Sequence, residues 1–242
     1  MHMEFSLARI KRYILLLGCC LTVSAFSGCV RGQYYGISAL NPYARRQWAE
    51  DEKMGPTFHQ QIAELRDLKK SAKSLDATAQ ERIVVQVTEL VRNNDNPLIR
   101  AGAVGVLGEI PTATALPGIH AASVDADVSV RIAACKAFGR RGDGESAGAL
   151  ARLAANDADT DVRLAAVAGL GNCQDQQAVQ ALTLALDDSN PAIQNRAVQS
   201  LKSSTGESLG DNVAVWRAHL HGEPSPIQPA ASIAERLQNL FY

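Results

Sequence analysis

The sequence predicts an all-α fold, an α-solenoid of about four to five stacked helix pairs with capping helices at both ends. Three observations predict it: a phrase that recurs about every 31 residues, apolar residues at helical spacing in each copy, and helix-start and helix-stop residues around each copy. A fixed period in this range is typical of stacked repeats, in which each unit buries its apolar face against its neighbours.

The phrase occurs four times and reads NPLIRAGAVGVLG, DVSVRIAACKAFG, DTDVRLAAVAGLG and NPAIQNRAVQSLK. The fifth residue of each copy is called its anchor, and the anchors are spaced 31, 32 and 31 residues apart. The anchors are Arg100, Arg131, Arg163 and Gln194. Apolar residues stand one before the anchor and three, four and seven after it, as with Ile99, Ala103, Val104 and Leu107. These offsets fall on one face of a helix.

Helix-start and helix-stop residues frame each copy. The first residues, which have the side chains preferred at N-caps, are Asn96, Asp127, Asp159 and Asn190. The glycines at the end of the phrase are predicted to stop the helix, and they are Gly108, Gly139 and Gly171. A second, more variable helix is predicted before each copy, over residues 81–92, 117–123, 147–155 and 177–186.

The copies resemble the HEAT-repeat family, in the short bacterial form often named after phycobilisome lyases. The resemblance covers about residues 80–205 and rests on three features: an acidic or amide residue six before the anchor, the V-R pair, and the A-x-x-x-[LF]-G tail. For fold it is specific, and for function it is weak, because repeats alone imply a surface and no chemistry.

The resemblance also implies a ladder of ion pairs, because Asp and Arg at this spacing join stacked repeats in that family. Carried over to this sequence, Asp125 pairs with Arg131 and Asp157 pairs with Arg163. Arg100 occupies the same column, but Asn94 and Gln194 depart from the pattern, so a complete ladder is expected only in the middle of the array.

Residues 1–28 are predicted to be a signal peptide. A basic region with Arg9 and Arg12 precedes an apolar run over residues 14–26. The small residues directly before Cys29 resemble a bacterial lipobox, which implies that Cys29 becomes the lipidated N-terminus. Three alternatives stay open: lipidation at Cys19, ordinary cleavage at residues 25–27, and an uncleaved apolar anchor.

Four further segments are predicted. Residues 29–56 form a lipid tether with a short helix, 57–220 the solenoid with its caps, 221–230 a Pro-rich linker, and 231–242 a short amphipathic C-terminal helix. Thr57 is predicted to start the N-terminal capping helix, and Trp216 to lie in the C-terminal cap, because an open solenoid end exposes core. The last helix folds back on the array, binds a partner or a membrane, or frays.

Composition and motifs argue against several kinds of function. The chain carries 24 basic and 25 acidic residues; removing residues 1–28, with three basic and one acidic, leaves a formal net charge of −3. No basic stripe of the kind that binds nucleic acid is present. No histidine is followed by Glu, so the His-Glu pairs that hold iron in HEAT-fold hydroxylases are missing. We expect no enzyme activity, no cofactor and no metal.

We therefore expect a membrane-anchored scaffold or adaptor that binds a protein partner in the bacterial cell envelope, on the periplasmic or outer-surface side. Positions two, five and nine after each anchor point away from the core columns and form a predicted concave binding face. The candidate contact residues are Glu109, Lys136, Arg140, Arg141, Asn172, Arg196 and Gln199. Three alternatives stay open: solvated helix faces without a ligand, a bilin or tetrapyrrole lyase-like enzyme or subunit, and a purely structural envelope spacer.

Overall fold

The computed structural model describes residues 42, 43, 46, 50, 55–224 and 226. The predicted signal peptide, Cys29, nearly all of the tether and the C-terminal amphipathic helix lie outside the described residues. The chain divides into two units, Met1–Gln61 and Ile62–Tyr242. In the first unit, Thr57 caps a helix start, because its amide donates to Oε1 of Gln60 at 2.7 Å and its Oγ1 accepts from the Gln60 amide at 3.4 Å.

Residues 55–224 form ten α-helices and two short 3₁₀ turns, with no β-strand among them. None of these helices combines the length and apolar character that crossing a membrane requires. The 3₁₀ turns are Ala72–Ser74 and Ala113–Ala115. The helices are α1 Phe58–Ser71, α2 Ala77–Asn93, α3 Pro97–Leu107, α4 Leu116–Ser123, α5 Val128–Arg141, α6 Gly144–Asn156, α7 Thr160–Leu170, α8 Gln176–Ala185, α9 Pro191–Thr205 and α10 Val213–His221.

The helices that carry the phrase, α3, α5, α7 and α9, pack on one another in chain order, and we call them the anchor helices. Each anchor helix also packs on the helix before it, which gives the four pairs α2–α3, α4–α5, α6–α7 and α8–α9. In the second layer, α2 packs on α4 and α6 packs on α8. The predicted all-α solenoid is confirmed.

The four apolar columns of the phrase form the core of this stack. All sixteen column residues are at most 4% exposed, from Ile99 in the first copy to Leu201 in the last. Alanine fills the third position after each anchor and is fully buried in all four copies. Burial at this level in every copy confirms that the repeated pattern records packing between successive units.

Each anchor helix also starts as the sequence predicts. The first residue of each copy accepts a hydrogen bond from the amide two residues later, at 2.8 or 2.9 Å. These side chains satisfy amides that have no partner inside the helix. The capping residues are Asn96, Asp127, Asp159 and Asn190.

The glycines at the end of the phrase do not all end a helix. Gly139 lies inside α5, which continues to Arg141 and ends at Gly142, with φ of 64°. The prediction that Gly139 stops its helix is therefore wrong. Gly108 and Gly171 do follow the last helical residues, but their φ angles of −66° and −61° are open to any residue.

Close approach between anchor helices explains this glycine column instead. A Cβ atom at Gly139 would lie 2.9 Å from the Cα of Gly169 on the next anchor helix. A Cβ at Gly108 would lie 2.8 Å from the Cβ of Ala137, and the equivalent atom at Gly171 would lie 3.0 Å from the Cα of Ser200. The column is glycine because successive helices leave no room for a side chain.

The two ends of the repeat array are covered. Leu65 of α1 is 7% exposed and lies over Gly102 of the first anchor helix. At the other end α10 packs on α9. Trp216 is fully buried there, and its indole Nε1 donates to the carbonyl oxygen of Gly210 at 2.9 Å.

We expect Gly139→Ala to destabilise the protein by about 1–3 kcal/mol, because the added methyl group overpacks the contact with α7. Alanine is otherwise about 1 kcal/mol more favourable than glycine inside a helix. Gly105→Ala is the matched control, because a Cβ there would meet only the flexible Lys69 side chain, at 3.7 Å. Urea denaturation should show Gly105→Ala stabilised and Gly139→Ala destabilised; stabilisation of both would contradict the close approach.

Candidate interaction surface

The anchor arginines hold carboxylates of the following repeat. Arg100 donates from Nε and Nη2 to the two carboxylate oxygens of Asp125, at 2.8 and 2.7 Å. Arg131 holds Asp157 in the same way, at 2.9 and 3.0 Å. Such paired hydrogen bonds fix both position and orientation, because the guanidinium and the carboxylate are planar. Each contact ties one anchor helix to the turn that starts the next.

The remaining guanidinium nitrogen holds the turn of its own repeat. Nη1 of Arg131 donates to the carbonyl oxygens of Asp125 at 3.0 Å and Ala126 at 3.2 Å. Nη1 of Arg100 makes the equivalent bonds to the first turn. One arginine therefore hydrogen-bonds to the turn of its own repeat and to the turn of the next repeat.

The predicted pairing of Asp125 with Arg131, and of Asp157 with Arg163, is wrong for the carboxylates. The residue six before the anchor presents its carbonyl oxygen to its own arginine. Its carboxylate accepts a hydrogen bond from the backbone amide two residues later and faces the preceding repeat. Asp157 therefore serves two arginines. Its backbone carbonyl oxygen accepts from Arg163 of its own repeat, and its carboxylate accepts from Arg131 of the preceding repeat.

The ladder is open at Arg163. Its Nη1 donates to the carbonyl oxygen of Asp157 at 3.3 Å, but its buried Nε has no hydrogen-bond partner. Asp188 stands 25 residues later, where the ladder calls for a carboxylate, yet no hydrogen bond joins its side chain to Arg163. Gln194 replaces arginine in the last copy and donates to the carbonyl oxygen of Asp188 at 2.7 Å. The closed rungs are Arg100–Asp125 and Arg131–Asp157.

The closed rungs keep their carboxylates charged. Hydrogen bonds from Arg100 lower the pKa of Asp125 from its ordinary value. Burial raises the pKa of Asp157, but hydrogen bonds from Arg131 and from the Asp159 amide outweigh it, so its net pKa is lowered. The Asp157 side chain is only 7% exposed. Removing its arginine would leave a largely buried charge without a partner.

Five of the seven predicted contact residues are exposed on or beside the anchor helices. Lys136 and Arg196 make no hydrogen bond or ion pair with any described residue. The exposed residues are Lys136, Arg140, Asn172, Arg196 and Gln199.

Glu109 is partly buried between two cations. Its Oε1 lies 3.2 Å from Nε of Arg140 and 4.0 Å from Nζ of Lys69. Arg140 and Glu109 border a cleft of about 310 Å³, which Lys73 also lines. Neither Lys69 nor Lys73 was predicted, because both precede the first copy of the phrase and the period gives no information there.

Arg141 does not belong to this face, and its prediction as a contact residue is wrong. Its side chain is only 8% exposed. Its Nη1 donates to the carbonyl oxygens of Ile110 at 3.1 Å and Thr112 at 3.2 Å. As the last residue of α5 it turns back to the preceding repeat, so it ties two units together.

A second tie of this kind was not predicted. Arg217 of α10 donates to the carbonyl oxygen of Leu186 and to the carboxylate of Asp187, both at 2.6 Å. Arg217 follows Leu186 by 31 residues, as Arg141 follows Ile110. The repeat period, applied to arginines outside the phrase, could have found this contact.

Reactive side chains do not converge in the part of the chain that the structure describes. It contains no group of three or more His, Cys, Asp or Glu placed to hold a metal. Burial raises the thiol pKa of Cys135 to about 12 and that of Cys173 to about 11, so both are protonated at neutral pH. His120 contacts Glu145 at 2.9 Å, and His219 contacts Glu207 at 2.8 Å.

Comparison with known families agrees with this architecture. The family model described as HEAT repeats matches residues 84–163 and 149–220. The chain belongs to the HEAT-repeat family. The matched residues run from α2 to α10 and so contain every anchor helix. They include both closed rungs and the open one.

Similar proteins add nothing about the activity of these HEAT repeats. A solved structure of human deoxyhypusine hydroxylase in complex with glycerol is 18% identical, with a TM-score of 0.48. The match covers 51% of this chain and 44% of that chain, so it spans less than half of the hydroxylase. Among curated proteins, none matches this chain.

We expect the stability of this HEAT array to fall in acid, as protons reach Asp125. The folded-state pKa is depressed, so the stabilisation is fully present above the unfolded carboxyl pKa of about 4 and is lost as pH falls through the folded pKa. Asp125→Asn should therefore be less stable at pH 7 and lose less stability between pH 6 and pH 3. Urea denaturation at a series of pH values measures both effects. Glu64→Gln, at an exposed site on α1, is the control, and identical pH profiles for the two variants would contradict the role of Asp125.

We expect Arg163→Ala to cost less stability than Arg131→Ala. Loss of Arg131 leaves the Asp157 carboxylate without its guanidinium, and breaking a buried pair in this way costs about 3–5 kcal/mol. Loss of Arg163 strands no carboxylate and removes a buried Nε that lacks a partner. Denaturant unfolding at neutral pH compares the two variants, and equal losses would mean that the third rung is closed in solution.

Proposed function

We propose that this protein is a lipid-anchored scaffold or adaptor of the bacterial cell envelope, and that it binds a protein partner through the exposed face of its anchor helices. The observation that carries the proposal is the exposure of Lys136 and Arg196 on that face, with no partner for either among the described residues. Core and ladder residues have a periodic packing role, and these two residues do not.

The columns of the repeat distinguish residues needed for stacking from residues that could bind a partner. Position five after the anchor is Gly105, Lys136, Ala168 and Gln199 in the four copies. Position two is Gly102, Ala133, Ala165 and Arg196. A residue needed for stacking recurs at its column, as leucine or phenylalanine does seven after the anchor in every copy. A cation that appears only once in its column has no such explanation, which supports a role in recognition.

The alternative of a tetrapyrrole enzyme receives less support. Small-molecule sites are lined mainly by apolar and aromatic side chains. Clefts of about 310, 450 and 500 Å³ in the described residues have at most two apolar side chains larger than alanine in each lining. Their linings are otherwise polar, charged or small, which suits contact with a macromolecule better than a buried pigment.

The membrane anchor rests on the sequence before residue 30 and on the resemblance to short bacterial HEAT lipoproteins. Several acyl chains on Cys29 would hold the mature chain stably, since each buried CH₂ contributes about 0.8 kcal/mol. The repeats would then act near a membrane surface.

Site-specific photocrosslinking in intact cells tests the proposed partner binding. A photoreactive residue replaces Ala168, on the proposed face, and Arg152 is the control position, exposed on α6 of the other layer. Binding through the anchor helices predicts one defined protein adduct from position 168 and none from position 152. Absence of an adduct from position 168 would favour a structural spacer, and an adduct from position 152 alone would place the interface elsewhere.

We expect mass analysis of the mature protein to find a chain that begins at Cys29 with a lipid on its thiol, because small residues precede Cys29 directly after an apolar run. Cys29→Ser should lose the lipid and leave the membrane fraction. A chain that retains Met1, or an unmodified chain that begins near residue 28, would show that the lipobox resemblance is accidental. A lipid at Cys19 would move the anchor to the alternative motif.

A further inference from the structure

The exposed basic residues of the anchor helices lie beyond the first helical turn. Acidic residues collect in the turns where these helices start, at positions such as Asp127 and Asp159. Four basic residues, which we call the basic strip, lie further along α5 and α9 and just after α1. The chain as a whole has a formal net charge of −1, so this excess of positive charge is local. The basic strip consists of Lys73, Lys136, Arg140 and Arg196.

Most of the strip has no counter-charge within the described chain. Arginines that join repeats have protein partners: Arg131 holds a carboxylate, and Arg141 and Arg217 hold turn carbonyls. Lys73, Lys136 and Arg196 are exposed, and none makes a hydrogen bond or ion pair with a described residue. A surface that gathers unpaired charges of one sign attracts ligands of the opposite sign.

A carboxylate of the chain itself shows which group this surface accommodates. Glu109 lies beside the strip, between Arg140 at 3.2 Å and Lys69 at 4.0 Å. Both side chains of the Glu109–Arg140 pair are partly open to solvent. The pair shows that an amino-acid carboxylate can approach the basic groups of α5.

Small side chains lie between the cations of α5 and α9. The intervening helix, α7, presents Ala165 and Ala168, which are only partly buried. Packed helices lie about 8–10 Å apart, so α5 and α9 are separated by about 16–20 Å. A helix with its side chains is about 10–12 Å across, so one can lie on this alanine floor with basic residues on both sides.

We infer that the face over α7 receives an acidic segment of a protein partner, whose carboxylates pair with Lys136 on one side and Arg196 on the other. The inference rests on the proposed function and specifies the chemistry of its partner. An anionic membrane is the competing ligand. A bilayer surface gains only about 1 kcal/mol from each basic residue near it, and the alanine floor adds nothing to that contact. An acidic segment that lies over Ala165 and Ala168 contacts both the basic residues and the small side chains between them.

Fluorescence anisotropy with the full-length mature chain in nonionic detergent tests this inference. The probe is a labelled 20-residue helical peptide of repeated Glu-Ala-Ala-Ala, and the same peptide with Lys for Glu is its counterpart. We expect the acidic probe to bind and to weaken with added salt, and the basic probe not to bind. Lys136→Glu together with Arg196→Glu should weaken binding of the acidic probe by about tenfold or more, since each reversal replaces an attraction with a repulsion.

Arg92→Glu together with Arg152→Glu is the matched control, because it makes the same charge change at exposed sites on α2 and α6. It should alter binding less than about twofold. Circular dichroism checks that both double variants stay folded, and Lys136→Gln with Arg196→Gln should give an intermediate loss. Equal losses from both double variants, or no binding of the acidic probe, would overturn the inference.

Vesicles of phosphatidylglycerol, compared with phosphatidylcholine, separate the membrane alternative. Binding to anionic vesicles that Lys136→Glu with Arg196→Glu abolishes, without binding of the peptide, would assign the strip to lipid. A protein adduct at position 168 that is insensitive to salt and to these charge reversals would leave the proposed scaffold function standing and contradict the acidic segment alone.

Discussion

The contact between an anchor arginine and the carboxylate of the next repeat is the interaction on which the array depends most specifically. Apolar burial favours any stacking that hides the core columns, but it does not fix the register of one unit on the next. The paired hydrogen bonds from Arg131 to Asp157 do fix it, because they need both planar groups in one orientation. The same arginine holds its own turn, so the geometry of one repeat is passed directly to the following one.

A second constraint acts at the other end of the anchor helices. The glycine column lets α5 approach α7 until Gly139 and Gly169 leave no room for a methyl group. The arginine–carboxylate contact sets the separation near the helix start, and the glycine contact sets it near the helix end. With both ends fixed, the residue five after the anchor in α5 and the residue two after it in α9 remain exposed. The cations that stand there, Lys136 and Arg196, are consequently available for a ligand.

The sequence predicted what depends on local spacing and missed what depends on the path of the turn. The core columns and the N-caps follow from helical periodicity and from side chains one or two residues away, so both were predicted correctly. The aspartate partner was not, because Asp125 lies six residues before one arginine and 25 after another, and spacing alone favours neither. Gly139 and Arg141 were misassigned for a related reason: the packing of an adjacent helix decides what they do, and the printed sequence does not show it.

Two double-mutant cycles that share Asp157→Asn test the central claim most directly. One combines it with Arg131→Gln and the other with Arg163→Gln, and urea denaturation gives the free energy of unfolding for each variant. A ladder that runs between repeats predicts a coupling of about 1–3 kcal/mol with Arg131 and less than about 0.5 kcal/mol with Arg163, because only the first pair shares side-chain hydrogen bonds. A larger coupling with Arg163 would mean that each arginine pairs within its own repeat and that the ladder does not set the register between repeats.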